Sequence, residues 1–247
     1  MIDCHVHLGK IRYHRDALTK ESLLSWMDNN GIDKVCLMAT ENPEELHYYV
    51  TTNEVLSHKS NRFIPFCNVD PRIGGMKYKI IQYYVDRGAM GFGEVIVGLF
   101  IDDPRLVEIY KICGDLHLPI LIHTAKQFGE DDDNFTRLQN ILVKYPQTNF
   151  ILHSLRWWRD IIVVENMLSK YSNVYGDLSA DSGYKFLTNL KDTNGFLSTW
   201  NHKLIFGTDY LEPGQQCKII DLIKNANITK EEKDNITENN ICRLIKK

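Results

Sequence analysis

The stretch Met1-Ile-Asp-Cys-His-Val-His-Leu8 is a short apolar run that carries two histidines, His5 and His7. Residues two apart on a β-strand point to the same side, so both imidazoles can share one face, with Cys4 and Val6 on the other. If this run is the first strand of a parallel barrel, the two histidines face the barrel axis, and Cys4 and Val6 face the surrounding helices.

Seven further apolar runs follow at intervals of about 25 to 35 residues, with a helical stretch before each. This interval is the length of one strand plus its return helix, which predicts a parallel sheet, and eight units predict closure into a single (β/α)8 TIM barrel. A doubly wound open sheet is the structural alternative. The seven runs are Lys34–Ala39, Arg62–Val69, Ala89–Val95, Pro119–His123, Asn149–His153, Asn173–Leu178 and Lys203–Gly207.

Capping signals mark several of the helices between these runs. Thr19-Lys-Glu-Ser22 can begin a helix that Gly31 ends, and Asp103-Pro104 supplies a cap and a first-turn proline for another. The segment Thr229–Ile245 has acidic residues in its first turn and Arg243 near its end, as the helix dipole favours.

Length and composition limit the classes of protein that this chain can be. Its 247 residues match one TIM barrel, so we expect a single domain over residues 1–247. The 29 Lys and Arg against 32 Asp and Glu give a net charge of −3, which predicts neither nucleic-acid nor membrane binding and leaves a small molecule as the expected partner. A homo-oligomer is left open. Six scattered cysteines and no apolar leader before Asp3 predict reduced thiols in the cytoplasm.

Ionisable side chains end five of the eight predicted strands. The active site of a parallel barrel lies at the carboxyl ends of its strands, so these side chains are expected to meet there. Other strand ends offer less obvious groups, among them Asp70 with Arg72, Glu41 and Asp177. The candidate metal ligands are His5, His7, Glu94, His123, His153 and Asp209.

Imidazole and carboxylate ligands suit a catalytic divalent metal, with zinc as the first expectation and manganese, iron or nickel as substitutes. Each residue also has an ordinary structural explanation. His123 could be a hydrogen-bonded strand end, Glu94 an exposed turn residue after glycines, and Asp209 a helix cap. Their joint occurrence at successive strand ends favours the metal site.

As an ordered set, four motifs resemble the amidohydrolase superfamily, more narrowly its amidohydrolase-related (amidohydrolase 2) branch, which includes hydrolases and decarboxylases. They cover nearly the whole chain: Ile2-Asp-Cys-His-Val-His7, Pro119-Ile-Leu-Ile-His123, Asn149-Phe-Ile-Leu-His153 and Leu204-Ile-Phe-Gly-Thr-Asp-Tyr210. The resemblance implies that His5, His7, His123 and Asp209 bind metal. It implies that His153 binds a second ion or acts on the attacking water.

Two features depart from this branch. Glu94 at the end of the fourth strand resembles TatD-type nucleases, in which such a carboxylate bridges two metals, but the following Val95-Ile-Val-Gly98 does not match their pattern. After His153, where many relatives have glycines, this chain has Ser154-Leu-Arg-Trp-Trp-Arg159, so the resemblance does not transfer a particular substrate. One or two ions are compatible with the six residues.

The expected activity is hydrolysis of a small, anionic molecule by metal-activated water, with Asp209 as general base and His153 stabilising the oxyanion. Arg72 and Arg156 are the candidate substrate-binding residues, because a guanidinium suits a carboxylate or phosphate. Lys126 and Arg159 are further cations near strand ends. The alternatives are a metal-dependent decarboxylase of an unsaturated or keto acid, a TatD-like nuclease or phosphodiesterase, and a barrel without catalytic activity.

Overall fold

A computed structural model describes residues 1–10, 16–41, 50–58, 60–124 and 134–245. It contains eight parallel strands in sequential order, which confirms the predicted (β/α)8 barrel. Each strand lies within a predicted apolar run. The strands are β1 Ile2–Val6, β2 Lys34–Leu37, β3 Phe63–Cys67, β4 Gly91–Val95, β5 Ile120–His123, β6 Phe150–His153, β7 Val174–Asp177 and β8 Leu204–Ile205.

The segment that begins with β8 returns to β1 and closes the sheet. The backbone N–H of Cys4 donates to the carbonyl of Phe206 (2.9 Å), and that of His7 donates to Tyr210 (3.0 Å). In the opposite direction, the N–H of Asp209 donates to the carbonyl of His5 (2.8 Å). These bonds fix the position of Asp209 beside the two histidines of the first strand.

Helices surround this sheet, and the predicted caps are present. Thr19 accepts a hydrogen bond from Ser22 N at the start of the first helix, Gly31 ends it at φ 65°, and Asp103 caps the helix that begins at Pro104. The α-helices of the described residues are α1 Lys20–Asn30, α2 Thr52–Ser57, α3 Lys77–Asp86, α4 Pro104–Asp115, α5 Asn134–Lys144, α6 Ile161–Lys170, α7 Ala180–Asn189, α8 Thr193–Trp200, α9 Ile219–Asn225, α10 Lys230–Asp234 and α11 Asn240–Ile245. Among the described residues, none of the helices has the length and apolar character needed to cross a bilayer.

The barrel interior is filled by a cluster that is separate from the larger core between strands and helices. Its strand and strand-end members are Ile2, Cys4, Cys36, Met38, Ile64, Phe66, Leu121, Ile151 and Ile205. Ile241, Leu244 and Ile245 of α11 join this cluster. Because α11 packs against the interior residues of the first and last strands, the predicted C-terminal helix closes one end of the barrel.

The prediction that Cys4 faces the helices is wrong. Cys4 belongs to the interior cluster, whereas Val6 belongs to the core that the helices cover. The reason is a register shift in β1: Asp3 pairs with Val35 and Val6 with Leu37, so Cys4 and His5 stand opposite one residue of β2. An extra residue of this kind interrupts the strict alternation of sides, and it lets Cys4 and His5 both lie inside.

Gly183, in the first turn of α7, has no room for a side chain. A Cβ there would lie 2.2 Å from the carbonyl oxygen of Leu178 and 2.5 Å from its carbon, and these backbone atoms cannot rotate away. We expect Gly183→Ala to lower the free energy of unfolding by about 1–3 kcal/mol, measured by urea denaturation. Gly74→Ala is the control, since a Cβ there meets nothing within 4 Å. Equal stability of the two variants would contradict this packing.

Candidate metal centre

The six candidate ligands meet at the carboxyl ends of the strands. They come from β1, β4, β5, β6 and the segment after β8, and three groups of their donor atoms, one of them including Asp177, are close enough to hold a metal ion. Four of the six are buried, whereas the side chain of Asp209 is 21% exposed and that of His123 is 30% exposed. The centre is therefore reached from solvent on the side of Asp209 and His123.

The first donor group consists of His5, His7 and Asp209. The Nε2 atoms of the two histidines are 3.1 Å apart. Asp209 Oδ1 lies 3.7 Å from His5 Nε2 and 3.5 Å from His7 Nε2. Two imidazoles and one carboxylate that converge in this way match the ligand set of a divalent metal.

The second donor group consists of Glu94, His123 and His153. Glu94 Oε1 lies 2.6 Å from His153 Nε2 and 3.0 Å from His123 Nδ1, and these two nitrogens are 3.0 Å apart. His123 thus points toward β4 and β6, and its donor atom is grouped with Glu94 and His153.

Glu94 lies between the two groups. While its Oε1 contacts His123 and His153, its Oε2 lies 3.1 Å from His7 Nε2 and 3.4 Å from His5 Nε2. The side chain is only 3% exposed, so the alternative of an exposed turn residue does not hold. Each carboxylate oxygen faces a different donor group.

Glycines bring β4 close enough to its neighbours for this contact. Gly93 has φ +141°, and a Cβ there would lie 2.8 Å from the carbonyl oxygen of Leu121 on β5. Residues other than glycine rarely adopt a positive φ of this size. The glycine before Glu94 therefore allows β4 and β5 to approach with their two ligands side by side.

The buried charges shift one another's pKa values. Burial lowers the pKa of His5, but the carboxylates of Glu94 and Asp209 outweigh it and raise the pKa well above its usual range. Burial raises the pKa of Glu94, but His5 and His153 hold it well below its ordinary value. His153 is fully buried, and burial lowers its pKa despite the proximity of Glu94. The centre therefore favours an ionised Glu94, as a ligand for a cation requires.

Two carboxylates that support the centre were not singled out by the sequence reasoning. Asp177, recognised only as a polar strand end, contacts His5 Nδ1 at 2.8 Å. Asp3 accepts hydrogen bonds from the N–H groups of His5 and Thr208 (both 3.0 Å) and from the Thr208 hydroxyl (2.6 Å). Burial raises the pKa of Asp3 to about 7, although these hydrogen bonds lower it. Asp3 thereby ties β1 to the residue before Asp209.

A cavity of about 240 Å³ opens beside the second group. Its lining residues are His123, His153, Ser154, Leu155, Ala180, Asp181, Ser182, Lys185 and Asp209. The cation among them is Lys185, which pairs with Asp181 at 3.2 Å. The side chains of Lys185 and Asp181 are both largely exposed, so this ion pair lies at the cavity rim.

The predicted substrate-binding arginines are not in the lining of this cavity. Arg72 makes two hydrogen bonds to Asp70 after β3, from Nε (2.8 Å) and Nη2 (2.5 Å). Arg156 is half-buried on the segment after β6, next to the lining residue Leu155. Lys126 lies outside the described residues. Substrate binding by Arg72 and Arg156 stays a prediction.

No family model matches the sequence, and no curated protein matches it. An uncharacterized TIM-barrel protein from Bordetella bronchiseptica is similar over 99% of this chain and 97% of its own, with a TM-score of 0.75 and 16% identity. Dihydroxybenzoic acid decarboxylase from a Polaromonas species, solved with bound manganese and the inhibitor 2-nitroresorcinol, has a TM-score of 0.69 and 15% identity, with 99% and 96% covered. A provisionally assigned 2-pyrone-4,6-dicarboxylic acid hydrolase from Pseudomonas putida has a TM-score of 0.70 and 11% identity, with 99% and 96% covered.

At these identities the likeness establishes the fold. It is the barrel that the resemblance of the sequence motifs to the amidohydrolase-related branch predicts. What the similar proteins bind or convert is a property of those proteins, and for this chain it is a source of hypotheses.

Proposed function

We propose that this protein is a metal-dependent hydrolase that holds two divalent ions on either side of Glu94. The observation that supports this best is the contact of each Glu94 oxygen with a different donor group. His5, His7 and Asp209 would hold one ion, and His123 and His153 would hold the other, with Glu94 shared between them.

The donor chemistry fits such ions. Four imidazole nitrogens and two carboxylates are the ligands that zinc prefers, and manganese, iron or nickel would also accept them. Zinc is our first choice, and manganese is the metal bound to the Polaromonas decarboxylase. A divalent metal held there would polarise a carbonyl or phosphoryl oxygen and would lower the pKa of water to about 7.

We propose that Asp209 moves the proton in this reaction. Its carboxylate belongs to the first donor group and also lines the cavity, so it faces both the centre and an incoming substrate. We assign it the role of general base, which takes a proton from the attacking water and passes it to the leaving group. His153 is fully buried against Glu94, and we assign it to the second donor group.

Metal analysis of protein purified without chelators tests the proposal. Two ions per chain, with hydrolysis that a chelator abolishes and zinc restores, is the expected result. One ion per chain would contradict the two-ion assignment. A protein that retains no metal and gains no turnover on zinc addition would favour the barrel without catalytic activity.

A decarboxylase is the second candidate, because proteins with this fold include 2,6-dihydroxybenzoate and 5-carboxyvanillate decarboxylases. A phosphodiesterase is the third, because a carboxylate between two donor groups is the feature that resembles TatD-type nucleases. A panel of lactones, amides, phosphodiesters and aromatic or keto acids separates the three. Hydrolysis of a lactone or amide without release of carbon dioxide supports our proposal, and carbon dioxide release supports the second candidate.

We propose that the substrate is small and anionic, and that Lys185 at the cavity rim attracts it. Lys185→Met is then expected to raise KM for the anionic substrate about tenfold with little change in kcat, since tenfold corresponds to about 1.4 kcal/mol of binding. The measurement is steady-state kinetics on the substrate that the panel identifies.

The chain offers a matched control for this variant. Lys111 on α4 is similarly exposed and also pairs with an aspartate one helical turn away, Asp115, but it does not line the cavity. Lys111→Met should leave KM unchanged. If both variants raise KM equally, the effect is that of net charge, and Arg72 and Arg156 are the next candidates to test.

The described structure contains six free thiols, at Cys4, Cys36, Cys67, Cys113, Cys217 and Cys242. Reduced cysteines are typical of a reducing compartment. We therefore propose a cytoplasmic location.

A further inference from the structure

Asp177, at the end of β7, is fully buried and contacts one of the candidate ligands from behind. Its Oδ2 lies 2.8 Å from Nδ1 of His5, on the opposite side of the imidazole from Nε2, which faces His7 and Glu94. Its Oδ1 accepts a hydrogen bond from the backbone N–H of Ser179 (2.9 Å). A carboxylate behind a ligand histidine commonly fixes the tautomer and orientation of the ring.

Ser179 extends this contact to a second histidine. Its Oγ lies 2.7 Å from Asp177 Oδ2, 3.1 Å from His5 Nδ1 and 3.3 Å from His153 Nδ1. Ser179 also occupies the position that caps α7, yet its side chain makes no capping hydrogen bond. A serine at this position commonly stabilises a helix through such a hydrogen bond, whereas here the hydroxyl is directed to the histidines.

The hydrogen atoms of this cluster can be assigned from the distances. Asp177 Oδ2 lies 2.8 Å from His5 Nδ1 and 2.7 Å from Ser179 Oγ, and a carboxylate oxygen accepts a hydrogen from each of these partners. The single hydroxyl hydrogen of Ser179 lies on the 2.7 Å contact, since two oxygen atoms without a hydrogen between them would repel at that distance. The lone pairs of Ser179 are then free to accept from the histidines.

We infer that Asp177 and Ser179 are positioning residues that keep His5 and His153 protonated on Nδ1, which would leave Nε2 of both rings to bind the proposed ions. His5 belongs to the first donor group and His153 to the second, so this one pair of residues orients a ligand on each side of Glu94. The inference rests on the proposed function in taking these two histidines as metal ligands.

The surrounding chain holds Asp177 in place. The indole N–H of Trp158 donates to the Asp177 carbonyl (3.0 Å), and a Cβ on Gly207 would lie 2.3 Å from Asp177 Oδ1. By contrast, Nδ1 of His7 is buried without a hydrogen-bond partner among the residues that the structure describes. The support is therefore specific to His5 and His153.

The experiment compares wild type with Ser179→Ala, Asp177→Asn and the control Ser182→Ala. Ser182 is also buried in the first turn of α7, but its hydroxyl donates to the Ser179 carbonyl (3.4 Å) and, within the part of the chain that the structure describes, to no histidine. Zinc affinity and stoichiometry are measured by competition with a chromophoric chelator. Two-bond proton–nitrogen NMR of histidine-labelled protein, zinc-loaded and metal-free, reads the tautomers, and neither readout requires turnover.

In wild type we expect Nδ1–H for both His5 and His153. Ser179→Ala and Asp177→Asn should each weaken zinc binding about 10- to 100-fold, as loss of such a partner does elsewhere. Ser182→Ala should match wild type, and unchanged melting of the metal-free Ser179→Ala protein would show that the loss is not one of folding.

Nε2–H on either histidine in the zinc-loaded wild type would overturn the inference, as would zinc affinity within twofold of wild type in both variants. An unprotonated Nδ1 on His5 would also overturn it, because Asp177 would then be a ligand in its own right. One zinc per wild-type chain would overturn the two-ion centre while leaving the tautomers to decide the positioning role, so the two failures are distinguishable.

Discussion

Glu94→Gln is expected to reduce the metal content from two ions per chain to at most one. It should lower kcat/KM by more than about 100-fold, beyond the range typical of residues that only orient a ligand. One carboxylate oxygen becomes an NH2 group, which donates hydrogen bonds and cannot bind a cation. The charge that balances His5 and His153 in a buried site is lost as well. Metal analysis and steady-state kinetics on the same preparation measure both effects.

Glu165→Gln is the control for the chemical change itself. Glu165 accepts a hydrogen bond from the indole of Trp200 (3.0 Å) on the outside of the barrel, so its amide should leave metal content and turnover unchanged. Two ions per chain in Glu94→Gln, with turnover near that of wild type, would show that Glu94 does not hold the centre together. Hydrogen bonds from the surrounding histidines would then be sufficient to explain why Glu94 is buried there.

The strand ends could be predicted because parallel-barrel geometry relates sequence order to space. Once the eight apolar runs are recognised, the last residue of each run lies at the same face of the barrel, and His123 and His153 follow directly. The family resemblance added an assignment of metal ligands that stays a prediction. It groups His123 with His5 and His7, whereas the closest donor atoms of His123 are those of Glu94 and His153.

Features that depend on local irregularity could not be predicted. The inward position of Cys4 follows from a register shift in β1, which no pattern of apolar residues announces. The role of Asp177 depends on its distance to His5, which is 172 residues away in the sequence, although an aspartate at the end of an apolar strand was a usable signal. The sequence did not identify Lys185 as a residue that lines the cavity. Candidates were sought at the strand ends, whereas Lys185 lies in the second turn of the helix that follows β7.

Asp209→Asn separates metal binding from proton transfer. The amide keeps an oxygen near His5 and His7 but cannot accept a proton, so we expect kcat to fall by about 100- to 10,000-fold while most of the metal is retained. The backbone of Asp209 is held by its N–H to the His5 carbonyl (2.8 Å) and by Gln215, which donates to its carbonyl (2.7 Å). Since these bonds do not involve the side chain, the variant should fold as wild type does.

Asp181→Asn provides the matched comparison, because Asp181 lines the same cavity and is 76% exposed, yet it belongs to neither donor group. Its kcat should stay near that of wild type. If Asp209→Asn loses metal and turnover in proportion, Asp209 is a ligand alone and another group moves the proton. If Asp209→Asn retains both its metal and its turnover, the Asp209 carboxylate takes no part in catalysis. Only a loss of kcat at full metal occupancy assigns the proton to this carboxylate.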